Sequence, residues 1–213
     1  MLRIAVAKGR LLAAFAEMLE NAGYPCDVLE KETRKLVIDA PSAGLRFILA
    51  KPTDVPTYVE YGAADLGVVG KDTLTEAQKH VAELLDLGYG RCRMIVAVPE
   101  AAGIEQVTDL DFNSRVASKY PNIASAYFRS HGIQAEVIPL NGSIELGPII
   151  GLSDAIVDIT ETGRTLIENG LLPIADIMES TSRLVANRVS LKVQRAEIGR
   201  LVSGLQEVLA CES

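Results

Sequence analysis

The chain has no tryptophan, and aromatic side chains make up only 5% of its 213 residues, so its core must be built from Leu, Ile, Val and Ala. Histidine is nearly absent too. His80 and His131 neighbour neither each other, a cysteine nor a serine motif, which argues for solvated surface histidines and against a nucleophilic triad. Cys26, Cys92 and Cys211 are odd in number and form neither a CxxC pair nor a zinc spacing. They read as reduced packing or surface cysteines of a cytosolic protein. No apolar run approaches membrane-spanning length, and Met1 to Val6 leads into Lys8-Gly9-Arg10 with no secretory h-region. A cytoplasmic protein with no membrane partner is therefore expected. Positive charge is in deficit, with 21 Lys and Arg against 28 Asp and Glu, and the net charge of −7 argues against a broad nucleic-acid face. Phosphates remain within reach of such a chain through a local cradle of backbone N–H groups and a few cations.

What is present is an ordinary globular balance, 48% hydrophobic and 23% charged, long enough for one large domain or two small lobes. Leu2 to Ala7 is a short apolar run that predicts a buried strand. After the Lys8-Gly9-Arg10 turn, Leu11, Leu12, Phe15, Met18, Leu19 and Ala22 recur at helical spacing, and Gly23 is the expected stop. Strands are expected over 35–39 and 46–50, with a turn at 41–44. Thr53 or Asp54 is expected to cap a helix that stops at Gly62. A strand over 64–70, a helix opening at Lys71-Asp72 and a strand over 93–98 follow. Alternating strands and helices predict an α/β fold with largely parallel sheets. Gly62-Ala63-Ala64-Asp65 is echoed by Gly151-Leu152-Ser153-Asp154, each leading into an apolar strand. Such an echo arises from αβ loops in general, or from two similar lobes. No Pro, Gly or Ser linker separates lobes, so paired crossovers near residues 90 and 181 are expected instead of a flexible tether. The expected division is 1–90 with 182–213 as one lobe and 91–181 as the other.

The strongest chemical signal runs from Asp154 to Leu166. Ala155 to Ile159 predicts a strand carrying Asp158, Thr160 to Arg164 a hydroxyl- and Gly-containing turn, and Thr165 to Asn169 a helix ending at Gly170. Such a loop presents unpaired N–H groups and a helix N-terminus to an anion. Gly163 permits close approach, Thr160, Thr162 and Thr165 add hydroxyl donors, and Asp158 at the strand end suits sugar hydroxyls. The bland alternative is an ordinary βα loop capped by threonine, but the two Asp residues, three threonines and Arg164 favour a 5-phosphoribosyl site. Lys8-Gly9-Arg10 is a second polar turn between strand and helix, suited to a polyphosphate; taken alone, a solvated turn explains it equally well. Residues 115–122 and Asn141-Gly142-Ser143-Ile144-Glu145 add polar turns of the kind that gather at strand C-terminal ends.

Taken together, several segments resemble the ATP phosphoribosyltransferase family: residues 4–11, 54–60 with 62–72, 115–122, 142–146, 151–166 and 182–187. The resemblance implies a two-lobed type II periplasmic-binding-protein-like fold, α/β with mixed sheets and a cleft between lobes. It implies that Glu161 to Thr165 hold the 5-phosphate, with Asp154 and Asp158 near the ribose and Gly9 and Glu145 among the substrate contacts. Lys8, Arg10 and Lys51 would be the catalytic cations that meet the polyphosphate; many family members carry Arg where this chain has Lys51, which leaves a bidentate contact open there. The implied reaction is attack of adenine N1 of ATP on the ribose C1 of phosphoribosyl pyrophosphate, releasing pyrophosphate at the first step of histidine biosynthesis. An oxocarbenium-like centre of that kind needs no covalent nucleophile, and Mg²⁺ would ride on the substrate phosphates. The resemblance is to the short form, a homodimer within a hetero-oligomer whose regulatory subunit is similar to a histidyl-tRNA synthetase. Two other readings compete. A cytosolic solute-binding module of the same fold leaves the phosphate loop and the Lys8-Gly9-Arg10 turn unexplained. A type I phosphoribosyltransferase does not account for the Lys8-Gly9-Arg10 turn.

Overall fold

The computed structural model of the chain describes residues 1–29 and 34–212. Two compact units divide it, Met1–Gly90 with Thr181–Ser213, and Arg91–Ser180. The first opens with β1 (Leu2–Ala7) and α1 (Arg10–Asn21), then β2 (Val37–Ala40), β3 (Leu45–Ala50), α2 (Val55–Glu60), β4 (Leu66–Gly70), α3 (Lys71–Ala77) and β5 (Ala82–Asp86). The second holds β6 (Cys92–Pro99), β7 (Arg115–Ser118), α4 (Pro121–Ser130), β8 (Glu136–Pro139), α5 (Leu146–Ile149), β9 (Ala155–Thr160), α6 (Arg164–Glu168) and β10 (Leu171–Ser180). The chain then returns to the first unit with β11 (Ser182–Ala186), α7 (Ser190–Val193) and α8 (Arg195–Glu212).

In the first unit six strands lie in the order β2-β3-β1-β4-β11-β5. β1 is parallel to β3 and β4, whereas β2, β11 and β5 pair antiparallel with their neighbours. The second unit has the order β10-β6-β9-β7-β8, in which β7 is parallel to β8 and β9 while β6 runs antiparallel to both β9 and β10. Both sheets are therefore mixed, as the resemblance implies, and the expectation of largely parallel sheets from the alternation of strands and helices does not hold. The return strands β11 and β6 carry no hydrophobic pattern that distinguishes an antiparallel from a parallel neighbour, because both are buried on two faces.

Period-two alternation decides what each face covers. Ile4 and Val6 of β1 pack with Phe15 and Leu19 of α1 and Leu201 and Leu205 of α8. Ala5 faces the other way, with Val55 and Val59 of α2. Burying each Leu, Ile or Phe contributes roughly 1.5–3 kcal/mol. In the second unit Val96, Val116 and Val157 meet Ile123 and Phe128 of α4, while Ile95, Ala117 and Ile156 meet Ile144 and Leu166.

The sequence echo has a structural meaning. Asp65 donates its N–H to the Arg3 carbonyl at 2.8 Å and accepts the Arg3 N–H at 2.9 Å, and its carboxylate pairs with the Arg3 guanidinium. Asp154 does the same with Arg115: N–H to carbonyl at 2.8 Å, carboxylate from N–H at 2.8 Å, and a longer contact of 3.9 Å to Nε. In each unit an Asp clips the start of one parallel strand to the start of its neighbour. Gly62 (φ 72°) and Gly151 (φ 71°) make the left-handed turn that delivers it.

Smaller expectations are also corrected. β2 begins two residues later than expected, and Asp54 occupies the helix-capping position of α2 without a side-chain capping bond. β5, whose alternation is weak, has no counterpart among the strands expected from sequence.

Candidate functional site

Two polar clusters sit at strand C-terminal ends, one in each unit. In the second unit β9 ends at Thr160 and α6 begins at Arg164. Gly163 takes φ 76°, ψ −3°, a left-handed conformation that glycine adopts without steric cost, and among the described residues no atom beyond its two chain neighbours lies within 4 Å of where its Cβ would stand. The Thr160 hydroxyl accepts the Gly163 N–H at 2.8 Å, and the Thr162 hydroxyl accepts that of Arg164 at 3.4 Å. These N–H groups are thus engaged within the loop, contrary to the expectation that the loop leaves them unpaired. A hydroxyl that accepts from the backbone still has its own proton to donate, so Thr160 and Thr162 remain donors toward an anion. Glu161, Thr162, Arg164 and Thr165 are exposed. Arg164 pairs with Glu168 at 2.8 Å, but both are open to water, a pairing weak enough for the guanidinium to exchange to another anion. α6 has only five residues, so its dipole is small and the hydroxyls and the cation carry more of the anion affinity.

Asp158 lies two residues before that loop, on the face of β9 shared with buried Ile156. Its Oδ1 accepts the Ile159 N–H at 2.8 Å. Burial pushes its carboxyl up to about 6; the Ile159 N–H opposes the rise, Glu145 adds to it, and Lys119 opposes it. The structure therefore brings Asp158, Glu145, Lys119 and the 160–165 loop to one region of the unit. Lys119, inside the polar 115–122 stretch, was not singled out from sequence, because nothing in the one-dimensional pattern shows that β7 lies beside β9.

Asp154 does not belong to this group. It precedes β9, four residues from Asp158 and so about 13 Å back along the strand, and its carboxylate is committed to Arg115. The resemblance implies both Asp154 and Asp158 near the ribose, but a four-residue spacing on a strand puts the two carboxylates at opposite ends.

In the first unit, β1 and β3 are parallel and Ala7 is in register with Ala50, so Lys8 and Lys51 leave adjacent strand ends side by side. Both are exposed. Lys51 is extended (φ −74°, ψ 147°), as Pro52 requires. Gly9 takes φ 94°, ψ −144°, a conformation essentially confined to glycine, and Arg10 is the first residue of α1. Among the described residues no side chain caps α1 and no acid occupies its first turn, so the helix end itself favours an anion there.

Comparison with known proteins bears on these clusters. Residues 51–207 match the family model described as HisG: ATP phosphoribosyltransferase. The chain is similar to an ATP phosphoribosyltransferase of Geobacillus kaustophilus (strain HTA426), 52% identical over 209 residues, covering 98% of this chain and 99% of that protein. An ATP phosphoribosyltransferase of Moorella thermoacetica is 47% identical over 210 residues, covering 97% and 92% respectively. Among solved structures, a chain of the ATP phosphoribosyl transferase (HisG:HisZ) complex from Thermotoga maritima superposes with a TM-score of 0.84 at 37% identity, each chain fully covered. The periplasmic aliphatic sulphonate binding protein SsuA from Escherichia coli gives 0.64 at 18% identity, over 97% of this chain and 72% of that one, a likeness of fold alone.

Proposed function

The chain belongs to the ATP phosphoribosyltransferase family, and we propose that it joins ATP through adenine N1 to the ribose C1 of phosphoribosyl pyrophosphate, releasing pyrophosphate. This is the first step of histidine biosynthesis. The observation that carries the reading is the 158–165 segment: a half-buried carboxylate, two hydroxyls already polarised by loop N–H groups, and a glycine whose missing Cβ leaves open space. In a chain of this family, that is what a 5-phosphoribosyl group needs. The Thr160, Thr162 and Thr165 hydroxyls and Arg164 would hold the 5-phosphate. Asp158 would accept from the ribose hydroxyls, with Glu145 beside it. Lys8, Arg10 and Lys51 would neutralise polyphosphate, including the charge that develops on the departing pyrophosphate. With Lys at position 51 the contact is a point charge and not a two-pronged one.

Among the described residues no three His, Cys, Asp or Glu side chains group as a metal site. We propose that Mg²⁺ rides on the substrate phosphates, where it would keep most of its waters and neutralise the leaving group. Among the described residues no helix is long and apolar enough to cross a membrane. The proposed setting is the cytoplasm. The proposed assembly is a hetero-oligomer with a regulatory subunit of the HisZ kind, as in the T. maritima complex. A solute-binding module of the same fold would not form a covalent product. Following the ATP adduct by absorbance, with and without a candidate regulatory subunit, tests both points. Adduct should accumulate, and histidine should inhibit the complex but not the isolated chain. Absence of adduct under both conditions refutes the catalytic reading.

A further inference from the structure

Ser118 of β7 is in register with Val157 of β9, and the strands are parallel. The next residue on each is Lys119 and Asp158, so the two stand in line at adjacent strand ends, on the face carrying Ala117 and Ile156. Neighbouring strands are about 4.8 Å apart, within reach of a lysine ammonium. The turn before α5 brings Glu145 to the same place, directly after buried Ile144, which packs on that face. Other charges near this face are already matched. Arg93 of β6, in register with Thr160, pairs with Asp176 of β10 at 3.1 Å, and Arg164 of α6 pairs with Glu168. Among the described residues, the charges that act on Asp158 are the anion Glu145 and the cation Lys119.

We propose that Lys119 is a positioning residue of the phosphoribosyl site: its ammonium keeps Asp158 as the carboxylate that ribose hydroxyls and a positively charged ribose require, against the push of Glu145. The proposal rests on the reading of Asp158 given above. The chemistry makes protonation matter. A carboxylate offers acceptor oxygens to sugar hydroxyls and a negative charge to an oxocarbenium-like centre, whereas the acid loses the charge and points a proton into the same space. Burial and Glu145 both favour the acid, and Lys119 opposes them.

The test is the pH dependence of kcat/KM for phosphoribosyl pyrophosphate, from about pH 5.5 to 8.5, in the parent, Lys119→Met, Lys119→Arg and Glu145→Gln. Lys119→Met should move the acid limb to higher pH. At pH 6 its kcat/KM should be about three- to tenfold below the parent, and at pH 8 within about twofold. Lys119→Arg should restore the parent limb, and Glu145→Gln should move it to lower pH. The substrate's own phosphate titrates in this range but equally for every variant, so it does not move the limb. A loss in Lys119→Met that is uniform with pH, or an unmoved limb, overturns the proposal. Asp158→Asn separates the two readings. If it matches the parent, Asp158 is not a substrate contact and both fall. If it is impaired while the Lys119→Met limb stays put, only the role of Lys119 falls.

Discussion

Replacing Gly163 by alanine separates what the 160–165 loop does for the fold from what it does for a ligand. At φ 76° and ψ −3° an L side chain costs about 1–2 kcal/mol of backbone strain. Among the described residues no atom beyond the two chain neighbours lies within 4 Å of the added Cβ, so no clash with another element adds to that strain. The strain also stays local, because α6 is only five residues long and buries only Leu166. For a chain of this size the melting temperature should fall by about 2–8 °C. Substrate affinity should respond differently. A methyl group in the space a phosphate needs would disrupt at least one charge-assisted hydrogen bond, worth about 1.5–3 kcal/mol, which is roughly a ten- to hundredfold weaker Kd. Thermal unfolding followed by circular dichroism gives the first quantity and calorimetric titration with phosphoribosyl pyrophosphate the second. A variant that melts a few degrees lower but binds within about twofold of the parent removes the loop from the phosphate site.

Three further outcomes are expected. Lys51→Ala should lower kcat far more than it raises the substrate KM values, since charge on pyrophosphate grows toward the transition state, and Lys51→Arg should keep most activity; parent-like turnover in Lys51→Ala makes it a surface lysine. Asp65 is buried, which raises its pKa, yet bonds from the Arg3 guanidinium and N–H and from the Ser190 hydroxyl outweigh burial and lower it overall. Its folded-state pKa is thus below the unfolded value, so its contribution is present above about pH 4 and is lost as pH falls below that; the Arg3 left behind is partly exposed, so Asp65→Ala should cost about 1–3 kcal/mol in urea unfolding at neutral pH and flatten that acid loss, and a difference under about 0.5 kcal/mol would contradict the clip. Gly67→Ala would put a Cβ 2.7 Å from Val59 Cγ2 and 2.9 Å from Val55 Cγ1, so α2 must move and stability should fall by about 1–3 kcal/mol; a neutral result in the same unfolding assay would show that α2 yields without cost.

The sequence by itself determined the local elements whose signals are local. β1 was legible to the residue and α1 to within one residue at each end, because an apolar run, a Gly-containing turn and a 3.6-residue stripe are each written in consecutive residues. The 160–165 loop was legible for the same reason, since threonine, glycine and arginine at a strand–helix junction carry their chemistry with them. Tertiary structure alone decided which loops share a neighbourhood. Register placed Lys8 beside Lys51 and Lys119 beside Asp158, pairs 43 and 39 residues apart that no sequence period links. It likewise assigned Asp154 to a clip matching that of Asp65, because a four-residue spacing that looks like proximity in sequence spans most of a strand. And it decided strand direction: a strand buried on both faces shows the same apolar run whichever way its neighbour points, so only the path of the returning chain could make the sheets mixed.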